Sequence, residues 1–160
     1  MMVDGECDIL EIALDRASKE DYDLLFNWVN DEEVRKNSFN PEKILYSNHI
    51  KWFNNMINSD KCIIFILKLK NTPVGQVRIA IERNFAIISY SLDKSYRGKG
   101  LTTTMLSLLE KEVKNNRINI NKLIAFVKLE NIASQKVFEK LKYNKKFHNE
   151  FLEYEKYLNN

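Results

Sequence analysis

Hydrophobic positions in this chain follow two periods, one of two residues and one near 3.6. Short alternating or β-branched runs occupy residues 9–14, 62–69 (CIIFILKL), 74–81 (VGQVRIAI), 85–92 (FAIISYSL) and 123–127 (LIAFV), and each predicts a strand. Helical spacing governs Tyr22, Leu25, Phe26 and Val29, with Ser18 and Asp21 ahead of them as a weak capping box and a stop near Asn30-Asp31. Residues 34–39 read as a short turn. After Pro41, residues 46–57 carry His49, Ile50, Trp52, Phe53 and Ile57 and predict a second helix. Asn71-Thr72-Pro73 and Glu82-Arg83-Asn84 turn the chain between strands. Gly75, inside a strand pattern, signals a bulge or a close backbone approach. Residues 101–113 form an amphipathic helix, and because it joins residues 85–92 to residues 123–127, those two strands should be parallel. The sum is an α+β fold.

The run YSLDKSYRGKGLTTT, residues 90–104, is where chemistry concentrates. A strand ends in a polar turn, then Arg97-Gly98-Lys99-Gly100 leads into the helix that starts at Leu101. Glycines at 98 and 100 let the backbone turn tightly and approach a ligand. The first helical amides have no partners within their helix and can face an anionic oxygen. Arg97 and Lys99 add positive charge, and Thr102 and Thr103 add hydroxyls. A phosphate or pyrophosphate is the economical ligand. A P-loop needs Gly-Lys-Ser/Thr, and Lys99 is followed by Gly100; a dinucleotide fingerprint needs a third glycine where Thr103 stands. A turn that binds nothing is the competing reading of the two glycines.

Composition narrows the classes further. The 160 residues suit one domain, residues 1–160, with a sizeable core; 44% hydrophobic and 29% charged are ordinary for a globular chain. A net charge of +3 without a basic block argues against nucleic acid. Cys7 and Cys62 have neither metal spacing nor a disulfide pattern, so no metal is expected. The first residues are acidic (Asp4, Glu6) and no apolar run nears 18 residues, which makes cytoplasm the default and argues against a membrane.

The pattern Arg97-x-x-Gly100 at a strand-to-helix junction resembles the acetyl-CoA motif of the GNAT superfamily of N-acetyltransferases, Gln/Arg-x-x-Gly-x-Gly/Ala, with Thr102 departing at its last position. A second segment, Asn131-Ile132-Ala133-Ser134 followed by Phe138 and Leu141-Lys142-Tyr143, resembles the superfamily's other hallmark, Asn-x-x-Ala/Ser, an aromatic, then Leu-Gly-Phe. Asn131 is also a good helix N-cap in its own right. Both motifs stand in the family's order with a helix and a strand between them. The resemblance implies one GNAT domain whose mixed, mostly antiparallel sheet is splayed between the strand ending at Leu92 and residues 123–127, flanked by about four helices. Residues 145–151 and 153–158 would be its closing strands.

What the resemblance implies for the site is specific. Acetyl-CoA would enter the gap, pair with backbone groups of Tyr90, Ser91 and Leu92, and rest its pyrophosphate on Arg97, Gly98, Lys99, Gly100, Leu101, Thr102 and Thr103, with Asn131 nearby. A neutral primary amine then attacks the thioester directly. That reaction needs a base for the ammonium proton, a backbone N–H for the tetrahedral oxyanion, expected on the splayed strand at Tyr90, and an acid for the thiolate. Many relatives use a tyrosine as that acid where this chain has Phe138. Ser134 is the expected substitute, with Tyr143 or water as alternatives. Glu130, through a water relay, is the expected base; Glu82 and His49 are the others.

His49 and Trp52 lie three apart and share a helix face. They are candidates for an acceptor wall, against the plainer reading of a core indole and a satisfied histidine. Residues 26–31, Val34-Arg35, Asn37-Ser38-Phe39 and His49-x-x-Trp52-Phe53 resemble the branch holding ribosomal-protein N-acetyltransferases and enzymes acetylating UDP-linked amino sugars. The expected acceptor is a small-molecule amine, by preference a nucleotide-linked amino sugar. A protein amino terminus and a non-catalytic acyl-CoA-binding module are the alternatives, and a homodimer is allowed.

Overall fold

The computed structural model describes residues 11–158; Cys7 and the opening of the strand expected over residues 9–14 lie outside them. Seven strands form one sheet: β1 (Ile12–Arg16), β2 (Cys62–Leu69), β3 (Thr72–Glu82), β4 (Phe85–Leu92), β5 (Lys122–Lys128), β6 (Asn144–Phe147) and β7 (Phe151–Tyr157). Their order is β1-β2-β3-β4-β5-β7-β6, and only the β4–β5 pair is parallel. The helices are α1 (Tyr22–Val29), α2 (Glu32–Asn37), α3 (Tyr46–Ile57), α4 (Leu101–Asn115) and α5 (Ile132–Lys140).

Alternation along the strands divides the core between the two sheet faces. Val77, Ile79, Ala86 and Ile88 point to one face and pack with Met105, Leu106 and Leu109 of α4 and Phe138 of α5. Cys62, Ile64 and Ile66 point to the other, beneath Leu25 and Trp28 of α1 and Phe53 of α3. Cys62 acts there as a small buried hydrophobe, and burial pushes its thiol pKa up.

Three local expectations give way to the structure. Of the turn expected over residues 34–39, only 38–39 bend; residues 34–37 belong to α2, which forms because Asp31 caps it, accepting from the Glu33 and Val34 amides at 3.1 and 3.3 Å. Glu32 and Glu33 in its first turn and Arg35 and Lys36 in its last suit the helix dipole. The β2–β3 turn is Lys70-Asn71, both at positive φ (51° and 66°), so Thr72 and Pro73 already belong to β3. The last two strands break at residues 148–150, which gives Phe151 to β7.

Gly75 fulfils both halves of its expectation. The β2–β3 register shifts beside it, and a Cβ there would sit 2.5 Å from Leu92 Cδ2 and 2.9 Å from the Ser91 carbonyl oxygen. Only glycine lets β3 pass this close to the open end of β4. Past α5, Lys142 stands where the resemblance expects glycine. It takes the left-handed conformation (φ 69°) of a helix C-terminal turn, with Tyr143 N donating to Phe138 O and Lys142 N to Glu139 O.

Candidate active site

Parallel pairing of β4 with β5 is confined to one end. Phe85 pairs with Lys122, Ala86 with Leu123 and Ile87 with Ile124; beyond them the strands part. The edge of β4 from Ile88 to Leu92 is left without a strand partner on that side. The gap is a cleft of about 700 Å³, walled by residues 87–92 of β4, residues 125–127 of β5 and the start of α5. Beside the cleft, Lys128 Nζ donates to the Lys36 carbonyl at 3.0 Å and the Phe39 and Phe151 rings meet edge to face, tying β5 and β7 to α2 and the segment after it.

At the cleft's outer end, Gly98 and Gly100 both have positive φ (77° and 76°), and a Cβ on either would meet nothing within 4 Å. Gly100 is the N-cap of α4 and provides no side-chain cap. The amides of residues 98–103 accordingly have no acceptor among the described residues. Gly98 and Thr102 line the cleft directly. The Lys99 ammonium stands 5.5 Å from the centre of the Tyr96 ring, on the exposed side of the loop.

Arg97 is placed differently from the expectation that its charge faces the anion. Its guanidinium bonds Asp31 at 2.7 Å, Glu33 at 3.1 Å and the Leu92 carbonyl at 3.0 Å. Since Asp31 also caps α2, Arg97 clamps the motif loop to the start of α2. Burial alone would raise the Asp31 pKa, but hydrogen bonds from Arg97 and Val34 outweigh it and hold the carboxyl low. Trp28 Nε1 donates to Asp93 at 3.1 Å, a second tie from α1 to the end of β4.

The inner end of the cleft holds two hydroxyls in contact, Tyr90 Oη and Ser134 Oγ. Tyr90 extends from β4. Ser134 sits in the first turn of α5, where its amide donates to the Asn131 side chain at 3.2 Å, so the cap fixes the serine's position. Burial raises the Tyr90 pKa and keeps the phenol protonated. Phe138 is fully buried, stacked on Tyr154 and edge-on to Tyr143. Tyr143 is a core residue outside the cleft lining, with its hydroxyl buried and unpartnered, and is no candidate acid. The Tyr90 hydroxyl as a partner of Ser134 is what sequence reasoning missed. Tyr90 was legible only as strand backbone, and nothing local shows that its ring crosses to α5.

Of the expected bases, Glu130 is exposed and outside the cleft lining, and Glu82 lies at the closed end of β4, opposite Phe85. The carboxylate among the described lining residues is Glu33, which Arg97 already engages.

A recess of about 350 Å³ adjoins the cleft, lined by Leu25, Ile44, His49, Trp52, Gln76 and Arg78 among others. His49 and Trp52 share a face as their spacing implies, with ring centroids 5.9 Å apart. His49 is 3% exposed, and its Nε2–H donates to the Tyr22 carbonyl at 3.2 Å; burial depresses its pKa. The indole of Trp52 carries the Arg78 guanidinium at 4.8 Å, a contact worth about 0.5–2 kcal/mol. Gln76 donates to Ser91 Oγ at 3.0 Å, linking recess and cleft. Among the described residues no cluster of metal-ligating side chains exists and no helix is long and apolar enough to cross a membrane.

Solved structures share this architecture. The spermidine N-acetyltransferase of Vibrio cholerae, in complex with CoA and spermine, superposes with a TM-score of 0.83 at 14% identity, over 93% of this chain and 96% of that one. The Salmonella typhimurium acetyl transferase that modifies the N-terminal serine of ribosomal protein L7/L12 gives 0.78 at 17% identity, over 93% and 96%. The yncA protein of Salmonella typhimurium, with its cofactor acetyl-CoA, gives 0.75 at 16%, over 93% and 95%. No curated protein matches the sequence. At these identities the likeness speaks for the fold. The sequence itself carries the family: residues 11–144 match the acetyltransferase (GNAT) domain, and with its splayed strands and uncapped glycine loop this chain belongs to the GNAT acetyltransferases.

Proposed function

We propose that the protein transfers an acetyl group from acetyl-CoA to the primary amine of a small acceptor, a nucleotide-linked amino sugar being the class the recess suits. The observation that carries the reading is the continuous path from the unpaired β4 edge to the unpartnered amides of residues 98–103. The β4 edge offers N–H and C=O groups to the amide-bearing arm of acetyl-CoA, as a neighbouring strand would. The amides of the loop and first turn of α4 face its pyrophosphate, and Lys99 adds charge at the mouth. Thr102 fits that role because it lines the cleft and brings a hydroxyl. Arg97 acts in this scheme by holding the loop in place through Asp31.

For the chemical step, a backbone N–H near Tyr90 on the open edge faces the developing oxyanion. The Tyr90–Ser134 hydroxyl pair protonates the departing thiolate in place of the tyrosine that Phe138 replaces. Proton removal from the incoming ammonium falls to water in the open mouth, since Glu130 stands outside the cleft. The recess, near the lower end of the roughly 300–1,000 Å³ typical of small-molecule sites, combines apolar walls at Leu25, Ile44 and Trp52 with polar groups at Gln76 and Arg78. That mixture suits a sugar ring.

Thermal unfolding with acetyl-CoA, with ATP and NAD as controls, tests the first half. Acetyl-CoA at ~100 times its dissociation constant stabilises the fold by about 2.7 kcal/mol, and the controls do less. Absence of any shift at millimolar acetyl-CoA overturns the reading. Turnover with a UDP-linked amino sugar, against amino-terminal peptides, then separates the acceptor classes; binding of acetyl-CoA with no amine acetylated would favour a non-catalytic module.

A further inference from the structure

Three arginines line the cleft and recess, and only two of them are neutralised or saturated by the protein. Arg97 meets Asp31 and Glu33. Arg35 donates Nε to the Val29 carbonyl at 2.7 Å, and its terminal nitrogens to Asn40 O, Glu42 O and Ser38 Oγ at 3.0–3.1 Å. It holds the segment between α2 and α3. Arg78 has neither kind of partner. Among the described residues its guanidinium makes no hydrogen bond and no ion pair; it stands over the Trp52 ring, and the Cys62 thiol is the titratable group that acts on it.

Its position matters as much as its solitude. Arg78 stands on β3 opposite Ser89 of β4, on the same sheet face as Gln76, and lines both the cleft and the recess. The indole, 4.8 Å from the guanidinium carbon, accepts no N–H hydrogen bond in its plane, so the N–H groups remain for an acceptor, and a planar fork suits carboxylate and phosphate oxygens. No carboxylate lines the recess, and the one in the cleft lining, Glu33, is held by Arg97. Burial lowers the Arg78 pKa, the mark of a cation short of compensation.

We propose that Arg78 is the anion-binding residue of the acceptor site, and that the amine acetylated here belongs to a molecule that also carries a phosphate or carboxylate group. This rests on the proposed transferase function and narrows its acceptor. A polyamine is disfavoured on the same ground, because its remaining ammonium groups would enter a recess holding Arg78 and Arg35 and no carboxylate. A UDP-linked amino sugar places its diphosphate across the ring from the reacting amine and satisfies the requirement. An amino acid would satisfy it with a carboxylate.

The test uses CoA-saturated protein, so that the α4 end is occupied. Inorganic pyrophosphate and malonate are titrated separately into wild type, R78Q and R78K, and the two probes distinguish phosphate from carboxylate preference. Wild type binds at least one of them; R78Q weakens that binding at least tenfold, and R78K, which keeps the charge without the planar fork, lies between. Unfolding midpoints of the unliganded variants check that the fold survives. In parallel, acetylation of an amino-sugar 1-phosphate is compared with the free amino sugar. The phosphate form has at least tenfold higher kcat/KM in wild type, carried by KM, and the ratio collapses toward one in R78Q. Equal anion binding by wild type and R78Q, or a preference for the neutral sugar or spermidine, overturns the Arg78 assignment while leaving the transferase standing. Failure to bind CoA or to acetylate any amine overturns the transferase instead, and anion binding by wild type against R78Q without CoA then still decides the role of Arg78.

Discussion

The two halves of the proposed site, one for the cofactor and one for the acceptor, are made from different materials. The cofactor half, from β4 through the glycine loop to α5, is mostly backbone: an unpaired strand edge, two left-handed glycines and a run of uncapped amides. The acceptor half, from α1 through α3 against β3, is side chains drawn from separated elements, with Arg35 from α2, His49 and Trp52 from α3, and Gln76 and Arg78 from β3. Backbone features need particular residues only where conformation or space is extreme, so they leave short motifs in the sequence. A side-chain recess leaves a scatter of ordinary polar residues whose meeting depends on the whole fold. The first half can therefore be common to a family while the second sets the acceptor.

If that division holds, damage in the cofactor half should reach the chemistry whatever the acceptor. The largest effect is expected at the hydroxyl pair. On the proposed mechanism Ser134→Ala removes the proton path to the thiolate, and general acid catalysis is typically worth about 10²–10⁴-fold. We expect kcat to fall at least ~100-fold for every acceptor, with acetyl-CoA binding by titration nearly unchanged. Tyr90→Phe should fall with it, and the double variant should lose little more, because the two hydroxyls act as one unit. Strict additivity of the two losses would show that they do not.

The next largest effect tests the backbone claim. Gly75→Ala sets a Cβ 2.9 Å from the Ser91 carbonyl oxygen, a backbone atom that cannot rotate away. Overpacking of this kind costs about 1–3 kcal/mol, and it should push the end of β4 toward the cleft and weaken acetyl-CoA. A drop in unfolding midpoint with intact acetyl-CoA affinity would separate the β3–β4 contact from the cleft's shape.

The same division accounts for what could be read in advance. Strands over residues 62–69 and 85–92 match β2 and β4 end for end, because apolar and β-branched runs are a local property. Residues 34–39 misled because α2 depends on one cap, Asp31, whose carboxylate is fixed by Arg97 from across the molecule. The glycine loop and the Asn131 cap were visible as motifs. That Arg97 faces two carboxylates was not, since its partners lie more than sixty positions away in the chain. Arg78 gave no signal at all: an arginine in an alternating strand ordinarily faces solvent, and here α3 brings Trp52 over it.

The smallest expected effect concerns His49 and asks whether the acceptor half also carries fold stability. Burial holds the folded-state pKa below the ordinary 6.5, with the Tyr22 carbonyl and Asp23 only partly opposing it. Below pH 6.5 the unfolded chain therefore binds a proton that the folded chain refuses. Stability falls as pH drops from 6.5 toward the folded pKa, and this contribution levels off beneath it. One proton limits the slope to about 1.4 kcal/mol per pH unit. His49→Gln keeps an N–H able to reach the Tyr22 carbonyl and removes the titration. Denaturant unfolding at several pH values between 5 and 7 should show a flatter dependence for the variant. Parallel curves would mean that His49 titrates alike folded and unfolded, and that the recess is wetter than its 3% exposure indicates. A flatter curve with unchanged acceptor KM would make His49 a wall of the recess, leaving recognition to Arg78.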